Sequence, residues 1–235
     1  VFYIIPMVYL ALAKFGVLGS LKRIELWLFL LSFVPLLLWR GFMNSMNYLP
    51  GIPFWKWAFN GDNIRFKPSF FWWIFEERLG KLILGTWGIV PFVLGFLAKM
   101  KDDFKWFLPA LFISQAVYWT VVATANVRHD YYQTLSIPAI SIILAAGTLT
   151  LWNAQIGNSF IRKTVTLACV LLGLGFSFYQ VKEYYKINHP EIITAGAAVQ
   201  KLTPASAKVI APYNGDTAFL YQTNRSGWPF ITLPI

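Results

Sequence analysis

Arg128-His129-Asp130-Tyr131-Tyr132-Gln133 separates two long apolar runs, and the reading of that junction decides the fold. Trp106 to Val127 contains no Asp, Glu, Lys or Arg, and neither does Tyr131 to Ile161. A hydrocarbon layer of about 30 Å takes about 20 apolar residues in a helix, so each run is long enough to cross one. The six residues then cap two neighbouring spans at a membrane surface.

Composition points the same way. Hydrophobic residues make up 57% of the 235, aromatics 18% and charged residues only 13%, with 11 Trp, which is outside the range of ordinary soluble domains. An integral, multi-pass protein of the plasma (inner) membrane is expected. The formal charge of +10 does not indicate nucleic acid, because the basic residues are scattered between apolar runs rather than gathered in a patch. Cys169 is the only cysteine, so neither an internal disulfide nor a cysteine metal cluster is expected.

Spans are expected at Ile24 to Phe42, Leu82 to Ala98, Trp106 to Ala125, Leu135 to Trp152 and Thr164 to Val181. Val1 to Ala13 is apolar but too short to cross, and is expected to be the tail of a truncated span whose beginning is missing. The expected fold is an all-α transmembrane helix bundle over 1–181, five complete spans plus one truncated, followed over 182–235 by the start of a small α/β soluble domain. Lys14 to Arg23, Lys99 to Lys105 and Asn153 to Lys163 carry 8 Lys or Arg in 28 residues, against 12 in 105 for the alternate connections. The denser set should be cytoplasmic. That puts the motif, the loop 43–79 and, by the parity of the spans, the tail on the outer side.

The loop from Met43 to Leu79 interleaves aromatics such as Trp57, Phe70 and Trp72 with Lys56, Arg65, Lys67 and Arg78, a mixture suited to the headgroup level. Asn60-Gly61-Asp62-Asn63 reads as a turn, and Pro68-Ser69 as the start of an N-capped surface helix reaching Leu79. Its two readings are an anchoring belt and a platform for a lipid-linked substrate. In the tail, Pro190 with Ile192, Ala195, Val199 and Leu202 predicts an amphipathic helix. Lys208 to Ala211 predicts a strand, and Asp216 caps a short helix from Thr217 to about Asn224 that Gly227 ends. No second strand is convincing, so the soluble domain is expected to continue past Ile235.

The motif gathers a cation, an imidazole, a carboxylate, two phenols and an amide. Ionisable groups at a membrane boundary need no special role, so headgroup contact and capping remain one reading. The other is recognition of a sugar and a phosphate: Arg128 can hold two phosphate oxygens at once, and a tyrosine offers both a ring and a hydroxyl. His129 does not by itself indicate a metal, since the other histidine, His189, lies elsewhere.

His129-Asp130-Tyr131-Tyr132-Gln133, then Leu135, then Pro138 opening a span through Ala145-Ala146-Gly147, resembles the late-span motif of bacterial polytopic glycosyltransferases. These are relatives of the dolichyl-phosphate-mannose protein mannosyltransferases and of the lipid A aminoarabinose transferase. The loop ending in Glu76-Glu77-Arg78-Leu79 and the tail with Tyr221 and Asn224-Arg225-Ser226-Gly227-Trp228 are similar too. The resemblance implies a GT-C enzyme moving a sugar from a polyprenyl-phosphate donor to a glycan, lipid or protein acceptor on the outer face. It also implies an acidic catalytic residue in a first outer loop that this sequence lacks, so this chain alone should be inactive. No cofactor is implied, and a divalent metal is left unsupported.

Glycosyl transfer with polyprenyl phosphate leaving needs a base and cations for the departing phosphate. Arg128 is the first candidate cation, with Arg65, Lys67 and Arg78 competing. His129, Tyr131, Tyr132 and Gln133 are candidates for sugar or phosphate contacts, Asp130 for orienting His129 or Arg128, and Arg225 and Trp228 for acceptor contact. Each has a plainer reading: Lys67 and Arg78 as snorkelling cations, Glu77 as a partner for Lys81, Ser226-Gly227 as a turn. The alternative function is a transporter or flippase for an amphipathic or lipid-linked solute. Ion coupling would place ionisable groups near mid-bilayer, where the spans offer only neutral residues such as Ser114 and Gln115. A scaffold subunit without activity is the third reading.

Overall fold

A stretch without charges need not wind as one helix, and here two of them do not. The computed structural model, which describes residues 2–45, 54–155, 157–186 and 189–230, divides into two compact units, Val1–Val181 and Lys182–Ile235. The part of the aromatic loop at 46–53 lies outside the described residues. In the first unit the helices are α1 (Ile4–Leu21), α2 (Ile24–Leu31), α3 (Val34–Ser45), α4 (Phe54–Asn60), α5 (Pro68–Phe71), α6 (Ile89–Gly95), α7 (Phe107–Val121), α8 (Ala123–Arg128), α9 (Ile137–Asn153) and α10 (Ser159–Val181). Short 3-10 turns cover Gly61–Phe66, Asp102–Phe104 and Asp130–Leu135, and α5 runs on as a π-helix, Trp72–Ile83.

Among the described residues, 3 helices are long and apolar enough to cross a membrane: Ile4–Leu21, Ile24–Met43 and the one that begins at Ser159. The expectation of five complete spans plus a truncated one is overturned. At its start, the helix does not stop at Ala13 but passes Lys14 and bends at Gly16, where φ is 66°, before ending at Leu21. The Lys14 ammonium lies 5.2 Å from the Phe15 ring centroid, so a single cation is accommodated on the helix surface.

Leu82 to Ala98 fails as a span because Gly85 and Thr86 take φ of 52° and 59°, a left-handed break that hydropathy does not register. A Cβ at Gly85 would lie 2.0 Å from the Gly173 carbonyl oxygen on α10. The 7 residues of α6 beyond the break cover about 10 Å at 1.5 Å per residue. Trp106 to Ala125 is likewise divided: α7 has 15 residues and ends where Val122 turns to φ −100° and ψ 50°. At 17 residues α9 is also short of a crossing. With the span count goes the parity on which the side of the tail depended.

Trp119, Phe92, Leu111, Ile140 and Ile143 form the centre of the first unit. There α6 presses on α9 through glycines, since a Cβ at Gly147 would fall 1.6 Å from the Pro91 carbonyl oxygen, and one at Gly95 would fall 2.3 Å from that of Ile143. Small residues bring helix backbones close where lipid gives no hydrophobic drive. By contrast, no side chain of α2 is buried, as befits a helix whose solvent is lipid.

The surface helix begins differently from expectation. Lys67, not Ser69, precedes it in extended conformation, Pro68 opens it, and no side chain caps it. Buried Ile74, Leu79 and Leu84 fall five apart, the spacing of a π-helical hydrogen bond, and the Leu84 amide donates to the Leu79 oxygen at 3.0 Å. Helices of this kind are rare and concentrate at functional sites.

The second unit holds a 3-10 turn (Lys182–Tyr185), α11 (Pro190–Leu202), β1 (Lys208–Pro212), α12 (Ala218–Thr223) and β2 (Ser226–Phe230). The expected absence of a second strand is wrong. Strand β2 pairs with β1 in parallel, Val209 facing Gly227 and Ile210 facing Trp228, so Ser226-Gly227 lies in a strand rather than a turn. Only glycine fits there, because a Cβ on Gly227 would be 1.8 Å from the Val209 oxygen. Parallel strands need a crossover, which α12 supplies. Its N-cap is Thr217 rather than Asp216, although Asp216 Oδ1, one residue before the cap, accepts from the Ala218 amide at 2.7 Å, and it closes at Asn224 in left-handed conformation (φ 48°), not at Gly227.

Candidate functional site

The six-residue motif starts at the last residue of α8 and runs through Gln133 in the 3-10 turn Asp130–Leu135. Two buried amides hold that turn. Gln133 Nε2 donates to Asn126 Oδ1 at 2.9 Å and to its main-chain oxygen at 3.3 Å, while Asn126 Nδ2 donates to the Val122 oxygen at 2.9 Å. Tyr118 in α7 adds a phenol that donates to the Tyr132 oxygen at 3.0 Å, and Trp119 Nε1 donates to Ser136 Oγ at 2.9 Å. Gln133 therefore works as a buried strut and not as a surface ligand.

Rings line the outer edge of the turn. His129 and Tyr131 stack with centroids 5.2 Å apart and planes at 27°, and Tyr131 and Tyr132 at 4.8 Å and 30°. Trp57 of α4 approaches His129 at 5.4 Å. Tyr131 stays 60% exposed. Burial, with Tyr131 beside it, pushes the Tyr132 phenol above its usual range, so at neutral pH it remains a hydrogen-bond donor.

The aromatic loop closes on the motif through its cations. Arg78 Nη2 donates to the Val127 oxygen at 2.8 Å and its guanidinium sits 5.3 Å from the Trp73 ring. Arg65 Nη2 donates to the oxygens of Phe59 at 2.8 Å and Val121 at 3.3 Å. Both guanidinium groups thus brace main chain. The Asn60 to Asn63 turn puts Asp62 and Asn63 at φ of 58° and 52°, which Asp and Asn tolerate, and Thr124 Oγ1 donates to the Gly61 oxygen at 3.1 Å. This turn carries Asp62 Oδ2 to 3.7 Å from Arg128 Nη2, with the two side chains 70% and 58% exposed. So open a pair contributes about 0–1 kcal/mol and yields readily to a stronger anion.

Arg128 and Lys67 are the exposed cations of the candidate set. Near the loop's end Lys81 bonds Glu77 at 2.7 Å, and that bond, opposed by partial burial and aided by Glu76, raises the ammonium's pKa. Asp62 and Trp57 were the residues that sequence reasoning did not assign to the site. No periodicity joins positions 62 and 128, and the turn alone was the available signal.

The tail candidates lie in the other unit. Arg225 Nη2 donates to the oxygens of Gln200 at 2.9 Å and Thr203 at 2.8 Å, and Nε donates to Thr203 Oγ1 at 3.2 Å. The guanidinium thus closes the carboxyl end of α11. Trp228, 58% exposed, lies on β2 with the Lys208 ammonium 5.7 Å from its ring. Among the described residues, no group of three or more His, Cys, Asp or Glu stands together as metal ligands would. Set against known protein families, curated proteins and solved structures, the chain has no match.

Proposed function

We propose that the chain belongs to a membrane glycosyltransferase of the GT-C type, which moves a sugar from a polyprenyl-phosphate donor to an acceptor on the extracytoplasmic face. One observation carries the reading: the stacked His129, Tyr131 and Tyr132 rings stand beside a weakly held, exposed Arg128–Asp62 pair. A guanidinium that can exchange an exposed carboxylate for phosphate suits the leaving group. Flat rings with phenolic donors suit the apolar face and hydroxyls of a sugar. The aromatic loop with exposed Phe71, Trp72 and Phe75 supplies apolar surface beside them for a lipid chain.

The resemblance of His129-Asp130-Tyr131-Tyr132-Gln133 to the polytopic glycosyltransferases supports the same chemistry and, with it, the outer placement of the motif. Arg65 and Arg78 shape the site by holding the loop, while Arg128 binds the departing phosphate and His129, Tyr131 and Tyr132 bind donor oxygens. The test is donor-dependent transfer of labelled sugar in membranes bearing the protein or its Arg128→Ala variant. Loss of one charged hydrogen-bonding partner should lower transfer about 10- to 100-fold without lowering the amount of folded protein. Equal, measurable transfer by the two proteins would remove Arg128 from the mechanism; flux of the lipid without transfer would replace the enzyme by a transporter.

A further inference from the structure

We propose that the wedge between the ends of α6 and α9 binds the headgroup of an anionic phospholipid, a site apart from the donor site. The two helices touch at Gly95 and Gly147 and then part. After Gly95 the chain leaves the helix through tight turns, with Leu97 bonded to Leu94 and Ala98 to Gly95 at 3.0 and 3.1 Å, while α9 continues to Asn153. The gap is a cavity of about 650 Å³ lined by Leu97, Lys99, Met100, Leu149, Thr150 and Asn153, with Gln155 at its rim.

Its chemistry is divided. Leu97 and Leu149 are 68% and 61% exposed and form an apolar wall. Thr150 joins that wall by its methyl, since its hydroxyl donates back to the Ala146 oxygen at 2.8 Å. At the mouth are the exposed Lys99 ammonium and the exposed amides of Asn153 and Gln155. A free anion would use only the mouth, whereas a phospholipid uses mouth and wall together.

The surroundings are basic. Arg162 Nε donates to the Trp152 oxygen at 3.0 Å, and Lys163 lies 5.3 Å from the Trp152 ring. Lys99, Lys101 and Lys105 outnumber Asp102 and Asp103 in the connection to α7. Basic pockets between helices at the membrane surface select anionic headgroups, and a tryptophan marks the same level. Charge complementarity therefore favours an acidic lipid over a zwitterionic one.

Native mass spectrometry of the chain taken from bilayers of equal phosphatidylglycerol and phosphatidylcholine tests this. The wild-type chain should retain phosphatidylglycerol preferentially. Lys99→Glu should lower the retained amount by at least about fivefold, Lys99→Gln by less, and Lys99→Arg should keep it, while Lys201→Glu in the second unit, the same charge change, should have no effect. Equal retention of the two lipids, wild-type retention by Lys99→Glu with Lys99→Gln, or release of the lipid by excess inorganic phosphate would each overturn the proposal.

Discussion

Gly147→Ala is the sharpest perturbation the fold permits. The added Cβ would meet the Pro91 oxygen at 1.6 Å, the Gly95 nitrogen at 2.5 Å and the Pro91 carbonyl carbon at 2.7 Å. All three are backbone atoms, which cannot swing aside as a side-chain tip would. Relief requires α6 and α9 to separate by roughly 1.5 Å, and a gap of 0.5–1 Å already forfeits about a quarter to a half of each contact's attraction. Overpacking of a close interface costs about 3 kcal/mol at the upper end of its usual range, and the better helix propensity of alanine returns about 1 kcal/mol. The net loss of about 2 kcal/mol should lower Tm by about 4–8 °C in a unit of this size. Gly175→Ala on α10, where nothing lies within 4 Å, serves as the control and should melt at or slightly above the wild type. The assay is thermal unfolding of the detergent-purified chain. A Gly147→Ala protein that melts no lower than the Gly175→Ala control would refute the close crossing of α6 and α9.

Asn126→Ala should cost about 1–3 kcal/mol by stranding the buried Gln133 amide, and would appear as a lower Tm together with faster amide exchange over 130–135. Glu191 has a pKa held below its ordinary value of 4.5, first by its own main-chain amide and then by the His189 ring. A depressed acid stabilises the fold above that ordinary value and loses its contribution as pH falls through the lowered one, so amide protection at the start of α11, corrected for the intrinsic pH dependence of exchange, should fall as pH drops below 4.5.

Much of the second unit could be read directly. Pro190 fixes the first turn of α11, its apolar spacing sets the length, and the β-branched run at Val209-Ile210 gives β1. Strand β2 was hidden because Gly227 and Pro229 discourage a strand in isolation, and only the close approach of Val209 makes the glycine necessary. In the first unit the absence of charge does not imply a continuous helix. Gly85 and Thr86 break the chain where it meets Gly173, and Val122 breaks it between α7 and α8; neither break changes hydropathy. The site divided in the same way. His129 to Tyr132 could be chosen for their chemistry, but the roles of Arg65 and Arg78 as braces, and the pairing of Arg128 with Asp62, depend on where the loop returns.

On the proposed reading, a polyprenyl phosphate docks between the Asp62 turn and the Arg128 motif. A polyprenyl phosphate carrying a photoreactive group next to the phosphate, irradiated with the protein in membranes and mapped by peptide mass spectrometry, tests it most directly. Adducts within 57–62 and 128–133 that disappear in Arg128→Ala are the expected result. Labelling confined to other segments, or unchanged by Arg128→Ala, would contradict it.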